Sequence, residues 1–74
     1  MDRFFIELNT QERVEEYLRI MGKYEGDVKI QAGDYEVDGK SVLGIFSLDL
    51  SHPVEIILYA ADEEIKKRLE KFRV

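Results

Sequence analysis

No cysteine occurs among the 74 residues of this chain, which excludes a disulfide framework and any thiolate metal site and favours a reducing compartment. Proline occurs only once, and 45% of residues are hydrophobic and 36% charged, the composition of a folded soluble chain rather than a disordered tail. Positive charge is in deficit: the formal net charge of -5 opposes nucleic acid and anionic lipid. Basic residues concentrate only at Lys66-Lys67-Arg68 to Arg73, on an expected helix that also carries acids, and read as a solvated face. No apolar run is long enough for a membrane helix. The opening Met1-Asp2-Arg3-Phe4-Phe5-Ile6-Glu7 has neither the basic start nor the apolar stretch of a signal peptide. A cytoplasmic protein without membrane or nucleic-acid contact is therefore expected. No glycine-rich phosphate loop is present. A chain of this length predicts a single domain over residues 1–74, burying about 60% of its unfolded surface around a thin core, too small for a large enzyme pocket.

The periodicities predict seven elements. Phe4, Ile6 and Leu8 alternate with Phe5 and Glu7, as in a strand with one face on a core. Asn9, with Glu12 three residues on, has the form of a capping box, and Val14, Tyr17, Leu18 and Met21 then recur at helical spacing, so a helix is expected from about Thr10 to Met21, ended by Gly22. Val28, Ile30 and Ala32 alternate with Lys29 and Gln31; Gly33-Asp34 turns the chain back into Tyr35-Glu36-Val37, and Asp38-Gly39 is a pair suited to positive φ. Ser41 caps a short helix weakened by Gly44, which Ser51-His52-Pro53 breaks. Val54, Ile56, Leu58 and Ala60 alternate with Glu55, Ile57 and Tyr59 in a strand apolar enough for a sheet interior. Asp62, Glu63 and Glu64 open a last helix with basic residues toward its end and a buried stripe of Ile65, Leu69 and Phe72. The order β-α-β-β-α-β-α is satisfied by an α+β open-faced sandwich, a four-stranded antiparallel sheet with three helices on one face. A ferredoxin-like split arrangement shares the first six elements, and order alone leaves the two open.

The stretch Lys40-Ser41-Val42-Leu43-Gly44-Ile45-Phe46-Ser47-Leu48 resembles, position by position, a segment that follows the first hairpin in the regulated members of the HPr family, the histidine-containing phosphocarriers of the bacterial sugar phosphotransferase system. Gly22-Lys23-Tyr24-Glu25-Gly26-Asp27-Val28 is similar to the same family's passage from first helix to second strand, and the element order agrees over nearly the whole chain. The resemblance implies an HPr-like open-faced sandwich. Two positions depart from it. Counted back from Tyr24 without gaps, Thr10 stands where the family has its phosphorylated histidine, and Glu12 where it has a phosphate-holding arginine. A threonine hydroxyl does not exchange phosphoryl groups reversibly as imidazole does, and the Glu12 carboxylate opposes a group carrying about -1.5 to -2 charges. The chain is also shorter than the family between Asp38 and Lys40.

What the resemblance then implies is a regulatory or protein-interaction domain of the phosphotransferase system, not an enzyme. The nearest functional pattern is that of the catabolite-repression paralogues, which lack the histidine and keep the serine. Ser41 matches the serine that a dedicated kinase phosphorylates, and its plainer role is the helix cap. Val42, Leu43, Phe46 and Leu48 are the candidate interaction surface, some of them necessarily facing the core. In this reading the helix openings at Thr10 and Ser41 lie side by side. The implied partners are proteins: a kinase, a transcriptional regulator or another component of the system. The competing reading is a phosphocarrier component that uses a non-standard residue or binds a small anion at the first helix N-terminus, where Arg13 is the candidate contact.

Other residues read plainly. His52, the lone histidine, is near Asp49 and Ser51, but a nucleophile triad is defined by geometry, and a tight loop predicts an ordinary loop residue. Glu15-Glu16 and Asp62-Glu63-Glu64 read as solvated helix faces, not metal ligands. Tyr17, Tyr24, Tyr35 and Tyr59 are expected at the edge of the core. No cofactor or metal is implied.

Overall fold

The computed structural model describes residues 1–74. The chain runs β1 (Asp2–Ile6), α1 (Gln11–Met21), β2 (Val28–Ala32), β3 (Tyr35–Asp38), α2 (Val42–Phe46), β4 (Val54–Leu58) and α3 (Glu63–Leu69), and ends in a 3-10 turn over Glu70–Phe72. The expected order is observed. The four strands form one antiparallel sheet in the order β1-β4-β2-β3. Apolar β4 therefore occupies an interior place, as its sequence predicts, and lies between the parallel strands β1 and β2. In a ferredoxin-like sheet the hairpin strand β3 would take that place, so the pairing selects the open-faced sandwich.

Alternation sets which side chains enter the core. Phe4, Ile6, Val28, Ile30, Val54, Ile56 and Leu58 point to the helices, and Val14, Tyr17, Ile20, Met21, Ile45, Ile65, Leu69 and Phe72 meet them from the other layer. Leu18, expected in the buried stripe of α1, is half-buried at its margin. Tyr17 and Tyr24 lie deeper than expected, fully inside, whereas Tyr35 and Tyr59 are exposed.

Ile57 is an exception with a local cause. It is only 2% exposed yet points away from the helices and stands outside the core cluster. The register sets it between Arg3 and Lys29, and the Arg3 guanidinium bridges past it to Glu55 at 2.9 Å. Long charged side chains take the place of a missing layer by lying along the apolar surface. The Arg3 pair holds the Glu55 carboxyl below its ordinary range. A depressed folded-state pKa contributes stability fully above the unfolded value of about 4.3 and loses it as pH falls through the folded value. The urea midpoint is thus expected to fall between pH 5 and pH 3, and to fall less in Glu55→Gln. Equal acid sensitivity in the two proteins would remove this pair from the account.

Several local expectations are corrected. The cap of α1 is Thr10, not Asn9: Thr10 has extended backbone, and its hydroxyl oxygen accepts from the Arg13 N–H at 3.1 Å. Gly22 ends α1 with right-handed backbone. Gly33 alone has positive φ, at 59°, as a two-residue hairpin turn with glycine first requires. Asp38-Gly39 does not; Gly39 is needed for closeness, since a Cβ there would lie 2.8 Å from a Val28 methyl and 2.9 Å from the Tyr17 hydroxyl. Asp62 caps α3 by accepting from the Ile65 N–H at 3.1 Å, so it precedes the first turn rather than lying within it.

Candidate functional site

Two helix openings carry the candidate residues. At the first, the Thr10 hydroxyl oxygen is committed to the cap, and Glu12 is exposed in the turn behind it. Arg13 is half-buried and makes contacts within the fold. Its Nε donates to the Glu7 carbonyl at 2.9 Å, a terminal nitrogen donates to the Lys71 carbonyl at 3.3 Å, and the guanidinium lies 5.1 Å from the centre of the Phe72 ring. Arg13, the expected anion contact, thus places two of its donors on backbone carbonyls and binds the start of α1 to the C-terminal turn.

At the second opening Ser41 has extended backbone and its Oγ accepts from the Gly44 N–H at 3.0 Å, the expected cap. Gly44 permits α2 to lie close on β3, for a Cβ there would meet both Ser41 Oγ and Val37 Cβ at 3.2 Å. Of this five-residue helix only Ile45 is fully buried. Leu43 is 86% exposed, Val42 52% and Phe46 49%. Leu48 departs from these three: it is half-buried and packs against the core.

The opening of α2 is held from behind by α1 and the loop that follows it. The buried Tyr17 hydroxyl donates to the Gly39 carbonyl at 2.8 Å, and burial pushes its pKa upward. Lys40 donates to the Tyr24 carbonyl and lies over the Tyr24 ring. The Tyr24 hydroxyl in turn donates to the Ala60 carbonyl at 2.7 Å and accepts from the Ala60 N–H at 2.9 Å. Side-by-side helix openings are not found. Ile6, before α1, aligns with Val54 at one end of the sheet, whereas Asp38, before α2, aligns through Lys29 and Ile57 with Arg3 toward the other. The two helices therefore run in opposite senses, with Thr10 and Ser41 toward opposite ends.

His52 precedes Val54 and so lies at the Thr10 end of the sheet, exposed beside the β2–β3 turn. Asp49 accepts from both the Ser51 N–H, at 3.0 Å, and the Ser51 hydroxyl, at 2.6 Å, which lowers its pKa. Its hydrogen bonds run to serine, not to the imidazole, so the three residues form a turn and no triad. Glu16 pairs with Lys71, Glu64 with Arg68, and Glu15 accepts from Gln11 at 3.0 Å; these are the contacts of solvated helix faces.

No protein-family model matches the sequence, and no curated protein matches it. Among solved structures the chain is similar to the crystal structure of HPr-C-His from Thermoanaerobacter tengcongensis, at a TM-score of 0.80 and 22% identity, over 96% of this chain and 89% of that one. The fold is HPr-like. Identity at this level speaks to the fold.

Proposed function

We propose that residues 1–74 are one HPr-like domain acting as a regulatory and protein-interaction module related to the sugar phosphotransferase system, without histidine phosphocarrier activity. One observation carries the reading. The helix start that would present a phosphohistidine instead holds a threonine whose hydroxyl oxygen is engaged in capping, with the carboxylate of Glu12 exposed nearby and the cation Arg13 turned toward backbone carbonyls. The α2 face, by contrast, leaves Val42, Leu43 and Phe46 exposed for a partner, and three neighbouring large apolar side chains are what an interface core uses.

Ser41 is the regulatory position of this module. A phosphate on it adds about -1.5 to -2 charges beside Lys40 and the exposed α2 face, creating acceptors for a partner's arginines. The partner class is a kinase, a transcriptional regulator or another protein of the system, in the cytoplasm.

Intact-mass measurement tests both halves. Incubation with phosphoenolpyruvate and the system's first enzyme is expected to leave the mass unchanged, whereas an HPr-directed serine kinase is expected to add a single phosphate that is lost in Ser41→Ala. An acid-labile phosphate in the first arm would establish the competing phosphocarrier reading. An unchanged mass in the second, with an ordinary HPr phosphorylated alongside, would remove Ser41 from regulation.

A further inference from the structure

Between the β2–β3 turn and the connection from α2 to β4 lies an open groove of about 680 Å³. Its size is in the range of sites for small organic groups, roughly 300–1,000 Å³. Ala32, Val37 and Leu48 supply half-buried apolar surface within it, and Tyr35, 74% exposed, presents an aromatic ring. Its charges are of one sign: Asp34 and Asp49 line it, no lysine or arginine does, and its only basic group is the His52 imidazole.

Elsewhere in the chain six carboxylates pair with cations. Arg3 pairs with Glu55, Lys66 with Asp2 and Glu63, Arg68 with Glu64, Lys71 with Glu16, and Arg73 with Glu70. Neither Asp34 nor Asp49 has such a partner. Asp49 is also held in place: the two Ser51 hydrogen bonds both fall on its Oδ1, so its other oxygen carries no hydrogen bond within the fold. An apolar floor, an exposed aromatic ring and two carboxylates without cations match the parts of one side chain. The stem of an arginine covers apolar surface, and its flat guanidinium stacks on aromatic rings and donates in parallel to a carboxylate.

We propose that this groove receives an arginine side chain presented by a protein partner. The inference rests on the interaction reading above and adds a second point of attachment, beyond the C-terminal end of α2 and separate from Val42 and Leu43. A partner seated on the α2 face and inserting an arginine here is held by apolar contact at one place and by charge at the other, and the arginine sets its orientation.

The test titrates the isotope-labelled full chain with the blocked tripeptide acetyl-Leu-Arg-Leu-amide and follows amide shifts. The same peptide with citrulline for arginine keeps the shape and removes the charge. Shifts are expected at Asp34, Tyr35, Leu48 and Asp49. Affinity should be about tenfold weaker for the citrulline peptide and about tenfold weaker for arginine in the doubly substituted Asp34→Asn, Asp49→Asn chain, the loss expected of a charge-assisted hydrogen bond. Tyr35→Ala, at an exposed position, should weaken binding without disturbing the rest of the spectrum. Equal binding of both peptides, or shifts confined to other acidic segments such as Asp62 to Glu64, would overturn the proposal. Leu43→Glu leaves the groove intact and reads the α2 surface, so it separates failure of the groove from failure of the interaction reading.

Discussion

Phe72→Ala is expected to cost about 3–5 kcal/mol of folding stability, the cost of emptying a buried aromatic site. A chain of 74 residues at roughly 0.05–0.15 kcal/mol per residue has about 4–11 kcal/mol in total, so this one substitution removes a large share. The Phe72 ring is 1% exposed and belongs to the main core. Its backbone carbonyl accepts from the Glu7 N–H at 2.7 Å, Ile6 pairs with Arg73, and the Val74 N–H donates to Phe5 at 3.2 Å. The Phe72 segment thus covers the outer edge of β1 as well as the end of the helix layer. Its ring also supports the Arg13 guanidinium, which ties down Glu7 and Lys71 on either side of the α1 opening. Loss of the ring is expected to lower the melting temperature by at least about 12 °C, at roughly 4–8 °C per kcal/mol for a domain of this size. The Arg13 side-chain Nε–H should also exchange faster with solvent. A stability loss under about 1 kcal/mol in urea titration would show that the turn contributes little to the core.

Phe72 also illustrates what the sequence alone conveys. Its place in the buried stripe with Ile65 and Leu69 is readable because helical spacing is local, and so is the Ser41 cap, a contact between residues three apart. The strand alternations are readable for the same reason. What depends on distant pairing is not. The order β1-β4-β2-β3 joins segments more than 40 residues apart, and only that order separates the open-faced sandwich from its ferredoxin-like alternative.

Ile57 shows how a pattern can hold while its consequence is missed. It sits on the outward side of β4 as the alternation predicts, yet the Arg3–Glu55 bridge across β1 and β4 encloses it. Thr10 and Asn9 are both competent caps, and the path of the chain out of β1 decides between them. At the candidate site, the apolar character of Val42 to Leu48 is evident in sequence, but which of them is exposed depends on how closely Gly44 lets α2 approach β3. The Arg13 contacts with Glu7 and Lys71 and the groove between the Ala32–Val37 and Ser47–Pro53 segments have no sequence signal, because each joins residues whose proximity exists only in the fold.

The α2 helix offers a separation of folding from binding within four residues. Leu43 is 86% exposed, so Leu43→Glu should change stability by no more than about 0.5 kcal/mol while placing a carboxylate in the middle of the apolar face. Phe46, 49% exposed, still covers some protein surface, and Phe46→Ala should cost about 1 kcal/mol. Ile45 is fully buried, and Ile45→Ala should cost about 2–5 kcal/mol. If α2 is the partner surface, capture of native partners on the immobilised chain should drop about tenfold or more for Leu43→Glu and for Phe46→Ala, each with a native amide spectrum, as truncating or charging an interface anchor requires. Ile45→Ala should lose binding only in proportion to the fraction unfolded. The two patterns differ in kind: one leaves a folded protein that does not bind, the other a less folded protein that binds where it is folded. Retention of the same proteins by Leu43→Glu and Phe46→Ala as by the unsubstituted chain would remove α2 as the interaction surface, leaving Val42, Leu43 and Phe46 as apolar residues that the helix, only five residues long, is too short to bury.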